Sequence, residues 1–262
     1  MQYALVNGIR TEPKKGLIGL CTGCNKDVIA KCGQIKVHHW SHKNTKECDS
    51  FWEPETPWHR EWKNHFPESF REVIFVDTQT NEIHRADVHT SSGVTIEFQN
   101  SPIALNELLS RDQFYQKLIW VVNGLKFKDH FELTCTIPNP ESPLLAEYDI
   151  YGTGKYSMNV PSNLMFKRRS DVFTPAKDKD MILSIRDLEL KEVGEQMSQS
   201  EPLYWMFEWK RKHTAWLSTK SHVFIDFGNE FLYKLCSKIQ SDGPLWYIQI
   251  LKKVNFINKY ST

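Results

Sequence analysis

Four of the six cysteines and three of the ten histidines lie within one 32-residue stretch, CTGCNKDVIAKCGQIKVHHWSHKNTKECDSFW (21–52). It reads as short strands and turns rich in Lys and Gly, too small to build its own core. A module of this kind needs a staple. Cys21 and Cys24 form a C-x-x-C knuckle. A zinc tetrahedron takes paired ligands from two separate turns, and the second pair comes from His39, His42 and Cys48. Two ligand sets fit. One is Cys21, Cys24, a single histidine and Cys48. The other uses both histidines of the H-x-x-H and leaves Cys48 unused. His38 reads as a surface neighbour and Cys32 as a small packed residue. No export signal is evident, which points to reduced thiols and to metal before disulfides. The knuckle does not precede a βαβ helix, so a redox role is not expected.

The 262 residues are 40% hydrophobic and 25% charged, as in ordinary soluble globular proteins. Formal net charge is only +1, so a polyanionic partner has to meet a local basic patch. No stretch reaches the 18 or so apolar residues of a membrane helix, and a cytoplasmic protein with no membrane partner is expected. Three regions are expected: a zinc-binding module over 1–50, an α/β core over 51–135 and an accessory region of unknown role over 136–262.

In the segment EPETPWHREWKNHF (53–66), Trp58, Trp62 and Phe66 recur every four residues, one stripe of a helix. Pro54 and Pro57 mark its start. REVIFVD (71–77), EIHRADVHT (82–90) and GVTIEFQNS (93–101) read as strands, IALNELLSRDQFYQ (103–116) as a helix and KLIWVVNG (117–124) as a buried strand. The order helix, three strands, helix, strand predicts an α+β core, a mixed sheet flanked by helices. Further on, a weak strand signal lies near 146–151, 178–202 reads as a helix followed by a linker, 222–236 as a strand leading into a helix or second strand, and 244–254 as a final strand.

Within VTIEFQ, Glu97 and Gln99 share one strand face, opposite Ile96 and Phe98. Asp87 lies on the neighbouring strand. Magnesium prefers oxygen ligands, usually one or two carboxylates with water and substrate phosphate, and Asp87 with Glu97 could supply them. Gln99 can orient a water or a phosphate oxygen. Glu55, His59 and Lys63 line one side of the first helix, offset from the tryptophan stripe. Arg85, two residues before Asp87, suits phosphate contact or carboxylate orientation. Ser101, Arg111 and Tyr115 follow, the last two on one helix face.

The strings ETPWH…K, HRADV, IEFQNSPI and RDQFY, in this order, resemble the competence protein CoiA family, over roughly residues 17–130. Its core in turn resembles the PD-(D/E)XK nuclease superfamily. The resemblance implies that Asp87 and Glu97 hold Mg2+ or Mn2+, that Glu55 is the acid of the first helix, and that His59 is the histidine of an E-S/T-x-x-H pattern. Gln99 stands where most of the superfamily has lysine. Glutamine donates a hydrogen bond but brings no charge, which Lys63 or Arg85 could supply. The N-terminal pattern of the family, a C-P-x-C knuckle, a glycine and H-F-x-H, is similar to Cys21–Cys24, Gly33 and HWSH, with Thr22 in place of proline.

Two basic segments complete the reading. WMFEWKRKHTAW (205–216) places Trp205, Trp209 and Trp216 at spacings that favour a helical core stripe over a platform for single-stranded nucleic acid. FKRR (166–169) reads as a loop able to reach phosphate. The expectation is therefore a Mg2+- or Mn2+-dependent deoxyribonuclease with a structural zinc, acting on single- or double-stranded DNA. The alternative is a DNA-binding factor that keeps the fold without catalysis. Protein partners and homo-oligomerisation stay open.

Overall fold

The structure, a computed structural model, describes residues 1–43, 48–49, 55–78, 80–152, 164–169, 182–199, 203–210 and 214–262. Pro54 and the basic residues Arg211, Lys212 and His213 fall outside that set. The chain divides into two units, Met1–Asn123 with Ala215–Ser221 and Val254–Thr262, and Gly124–Thr214 with His222–Lys253.

The first unit begins with five short antiparallel strands: β1 (Ala4–Val6), β2 (Ile9–Thr11), β3 (Ile18–Leu20), β4 (Asp27–Lys31) and β5 (His39–His42), in the sheet order β2-β1-β3-β4-β5. Asn7 and Gly8 both take positive φ, 52° and 79°, between the paired Val6 and Ile9. That is the Asn-Gly turn that suits the twist of a two-residue hairpin. Among its described residues the module buries Met1, Ala4, Cys21, Val28 and Trp40 as its own cluster.

Then follow α1 (Pro57–Asn64), β6 (Arg71–Val76), β7 (Ile83–His89), β8 (Thr95–Gln99), α2 (Leu105–Phe114) and β9 (Leu118–Asn123). This is the helix, three strands, helix, strand order that the periodicity predicts. Strands β6, β7 and β8 pair antiparallel, and β8 pairs parallel to β9 after the α2 crossover. Every residue of β8 and β9 is buried.

Helix α1 starts where Thr56 caps it. Thr56 Oγ1 accepts the His59 N–H, and the His59 side chain accepts the Thr56 N–H in return. Histidine here fills the role that Glu or Gln takes in a capping box, so the T-x-x-H spacing is also a helix start signal. The tryptophan stripe lands on β8: the Phe98 ring has Trp62 stacked at 5.5 Å and Trp58 and Phe66 at 6.3 and 6.2 Å. Such aromatic pairs add about 0.5–1.5 kcal/mol each beyond area burial. On the other side α2 is tied down by Arg111 to Glu97, and by Asp112, which accepts the indole N–H of Trp120 at 3.2 Å.

The second unit is mostly antiparallel strand. β10 (Phe131–Ile137), β14 (Tyr204–Trp209), β15 (His222–Asp226), β16 (Phe231–Gln240) and β17 (Gly243–Lys252) form one sheet, and β11 (Tyr148–Gly152), β12 (Leu164–Arg168) and β13 (Ile182–Ser184) another. A helix, Lys191–Gln199, packs Val193 into their common core with Ile150, Leu164 and Phe166.

Two expectations are corrected here. The segment with Trp205 and Trp209 is a strand, not a helix: Phe207 stacks on Phe131 of β10 at 5.1 Å, and Trp209 packs on Phe127 at 4.9 Å. A nearly continuous aromatic run fits a buried strand as well as a helix, and cross-strand partners decide between them. Likewise 164–168 is β12 rather than a loop, and its cations are engaged. Arg168 pairs with Glu189 at 2.6 Å and Arg169 with Asp149 at 2.9 Å.

Candidate functional site

The C-x-x-C knuckle joins β3 to β4. Its turn is closed by the Asn25 N–H on the Cys21 carbonyl and the Cys21 N–H on the Lys26 carbonyl, with Asn25 at φ 56°. The Gly23 N–H also points at Cys21 Sγ, 3.4 Å away. The potential ligand atoms of Cys21, Cys24, His42 and Cys48 all lie within 4.8 Å of one another. Cys21 Sγ and Cys48 Sγ are 3.7 Å apart, and Cys24 Sγ is 3.2 Å from His42 Nε2. With zinc–sulfur bonds of about 2.3 Å, two sulfurs at tetrahedral corners sit about 3.8 Å apart. The donor set therefore fits zinc. His39 is not in it, which removes the H-x-x-H alternative. Residues three apart on β5 face opposite sides, and His39 Nδ1 lies 2.8 Å from the Val37 carbonyl instead.

A cavity of about 50 Å3 lies between α1, β6, β7, β8 and α2, room for roughly three waters. Asp87, Glu97, Glu55, His59, Lys63, Arg85 and Arg111 line it, so seven of the ten residues expected for catalysis and substrate meet there. Gln99, Ser101 and Tyr115 are not among the lining residues. The Gln99 amide donates to the Ser101 carbonyl at 3.0 Å, while its oxygen is buried without a hydrogen-bond partner. Tyr115 is buried against Phe75 and Phe114. Asp49 and Glu72 also line the cavity, and the sequence reading singled out neither.

Asp87 accepts the Phe98 N–H at 2.9 Å. Burial raises its pKa above the ordinary aspartate value, against the pull of Lys63 and His59. Burial raises Glu97 well above the ordinary glutamate value, and the charge of Asp87 adds to it, against Arg111 at 3.1 Å. Arg111 also holds Glu107 at 2.6 Å.

Lys63 is the opposite case. Only 2% exposed, it lies 2.6 Å from Glu55 and 2.9 Å from Glu72. Glu55, which the structure places one residue before the Thr56 cap rather than on the helix, and Lys63 of α1 thus belong to a buried ion cluster. Burial alone would lower the Lys63 pKa, but Glu72 and Glu55 raise it. Burial opposes ionising Glu55, yet Lys63 and Arg60 bring it down to about 2. Glu72 also titrates below its ordinary value, held by Lys63 against burial. It sits at φ 49° and accepts the backbone N–H groups of Gln2 and Tyr3 at 2.7 and 3.2 Å. A left-handed glutamate costs on the order of 1–3 kcal/mol, a strain met where the surroundings hold it in place.

Two expected outcomes follow from this cluster. Lys63→Met leaves two carboxylates buried without their cation and should cost about 3–5 kcal/mol of stability. Adding Glu72→Gln should recover part of that loss, and a urea midpoint equal to wild type for Lys63→Met would contradict the ion cluster. Because the folded state depresses the Glu55 pKa, its stabilisation is complete above the ordinary value near 4.5 and is lost as pH falls toward about 2. Glu55→Gln should therefore flatten the acid limb of the stability–pH curve, and an unchanged limb would count against the pairing.

Among the comparisons with known proteins, the model of the competence protein CoiA N-terminal domain matches residues 19–51. That stretch contains Cys21, Cys24, His42 and Cys48, with Asp49 of the cavity, and ends before Glu55, Glu72, Asp87 and Glu97. No curated protein and no solved structure matches the chain. No helix among the described residues is long and apolar enough to cross a membrane.

Proposed function

We propose that the chain is a Mg2+- or Mn2+-dependent deoxyribonuclease of the PD-(D/E)XK type, carrying a CoiA-like zinc module and working in DNA uptake, recombination or defence. The observation that supports it most is the placement of Asp87 and Glu97 in one buried cavity, each with its pKa raised. Two carboxylates that burial makes costly to ionise gain most from a divalent cation, which restores their charge balance. When bound, the cation supplies Lewis-acid charge to a phosphoryl oxygen. Asp87 and Glu97 would hold it. Arg111 keeps Glu97 oriented through their 3.1 Å contact. His59, whose ring is pinned by the Thr56 cap, is the cavity's candidate for moving a proton. Arg85 is less suited to phosphate than its position in the sequence suggests, because its guanidinium reaches Cys21 Sγ at 3.6 Å.

A second reading, a DNA-binding factor that keeps this architecture without catalysis, is favoured by one observation. Glu97 and Glu55 already have protein cations as partners, Arg111 for the first and Lys63 and Arg60 for the second. Incubating purified protein with linear, circular, single- and double-stranded DNA separates the two. Degradation that requires Mg2+ or Mn2+ supports the nuclease. Binding without degradation in any cation supports the second reading.

A further inference from the structure

Charge is unevenly spread along the chain. Residues 1–43 hold seven of the 33 Lys and Arg and two of the 32 Asp and Glu, so this stretch stands at +5 while the remainder stands at −4. One of the seven is an anchor: Arg10 lies over the Tyr3 ring and donates to the Glu68 and Arg71 carbonyls at 2.7 and 2.5 Å. The other six, Lys14, Lys15, Lys26, Lys31, Lys36 and Lys43, are exposed, and none forms an ion pair with a described residue. Four of them gather at one end of the five-stranded sheet. The Leu17 N–H on the Lys14 carbonyl closes a turn that carries Lys14 and Lys15 into β3. The Ala30 N–H on the Leu17 carbonyl sets that turn beside Lys31, the last residue of β4, and Lys36 lies in the loop that leaves β4 for β5. Of the two acids, Asp27 stands at the opposite end of β4, and Glu12 accepts the Gln2 amide at 2.8 Å.

Resting on the reading of DNA as the partner, which the nuclease and the binding factor share, we propose that this end of the sheet, with Lys14, Lys15, Lys31 and Lys36, is where the protein grips the nucleic-acid backbone. Lysine is a compact point charge on a flexible stem, suited to phosphate and indifferent to base sequence. These lysines break no described ion pair when phosphate arrives, and counterions released from the DNA drive the association. A chain with net charge +1 has to meet a polyanion locally, and outside residues 1–43 its acids outnumber its cations. The other described basic cluster offers less, because Arg168 and Arg169 are committed to Glu189 and Asp149. The zinc module thus does more than hold itself together: it carries the charge that the rest of the chain lacks.

The test is equilibrium binding of labelled duplex and single-stranded DNA to the full chain, across a salt series, in chelator that spares the zinc. Wild type is compared with a variant carrying Lys14→Gln, Lys15→Gln, Lys31→Gln and Lys36→Gln. A control carries Lys126→Gln, Lys128→Gln, Lys220→Gln and Lys252→Gln, four exposed lysines elsewhere. At 0.1 M salt the first variant should bind duplex DNA of any sequence about tenfold more weakly or worse. Its slope of log affinity against log salt should be shallower by about 3–4, at about 0.9 per lost phosphate contact. Zinc content and circular dichroism should match wild type, and the control should keep wild-type affinity and slope. Should the fourfold variant fold poorly, the pairs Lys14→Gln with Lys15→Gln and Lys31→Gln with Lys36→Gln should each show part of the change. Module variants that bind DNA like wild type, or a control that loses as much, overturn the proposal and leave DNA as the partner. Lost binding to phosphatidylserine vesicles with DNA affinity intact overturns it in favour of a membrane surface. Wild type that binds neither form of DNA removes the reading on which it rests, and the proposal with it.

Discussion

Asp87→Asn and Glu97→Gln are each expected to lower DNA cleavage by on the order of 100–1,000-fold, because a cation contributes several kcal/mol of transition-state charge stabilisation and each 1.36 kcal/mol is a factor of ten. Both substitutions keep size and remove a charge. The fold should survive them. Asparagine at 87 still offers an oxygen to the Phe98 N–H, and Arg111 still has Glu107 at 2.6 Å when Glu97 becomes neutral. With chelator present, DNA binding should persist or strengthen, since each variant removes a negative charge from a cavity that must meet phosphate. Glu55→Gln should be milder, because Glu55 is turned to Lys63 and Arg60 rather than to the Asp87–Glu97 pair. Single-turnover rates beside binding in chelator separate chemistry from affinity. Both strand variants cutting at the wild-type rate would remove these two residues from the mechanism.

The second large effect concerns zinc. Protein purified without chelator should carry about one zinc per chain, since one tetrahedral set of four ligands is present among the described residues. Cys21→Ser, Cys24→Ser and His42→Ala should each lose it. Binding of structural zinc is worth about 10–16 kcal/mol in small modules, and that binding energy is folding energy. A module whose own core cluster is five of its described residues has little else to fall back on. Proteolysis of the variants should therefore begin within residues 1–49, where wild type resists. His39→Ala is the discriminating control and should keep its zinc. Absence of zinc from wild type, or loss in His39→Ala with retention in His42→Ala, would contradict the ligand set.

The parts of the molecule legible in the sequence are those where one period dominates. Trp58, Trp62 and Phe66 mark a helix stripe, and the alternation through Glu97 and Gln99 marks a strand, which the structure has as α1 and β8. The Asn7-Gly8 dipeptide is a two-residue hairpin signal outside the periodic segments. Glu72 was hidden for a different reason. It opens an ordinary strand string, and nothing in REVIFVD announces a left-handed backbone whose carboxylate folds back onto Lys63 and the first strand. Asp49 carries no sequence signal of its own. It lines the same cavity as Asp87, far along the chain, where the knuckle meets β7 through Gly23 and Arg85. Gln99 shows the limit of face counting: alternation sets the side of the strand, but a hydrogen bond to Ser101 decides where the amide nitrogen ends up.

The most direct test of the nuclease reading is single-turnover cleavage of end-labelled DNA by zinc-loaded wild type, in Mg2+ and in chelator that spares the zinc, with Asp87→Asn purified identically. Cleavage by wild type in Mg2+ alone, absent in chelator and absent in the variant, is the predicted result. Wild type that binds the DNA but leaves it intact in both Mg2+ and Mn2+, or a variant that cuts as fast as wild type, would contradict it.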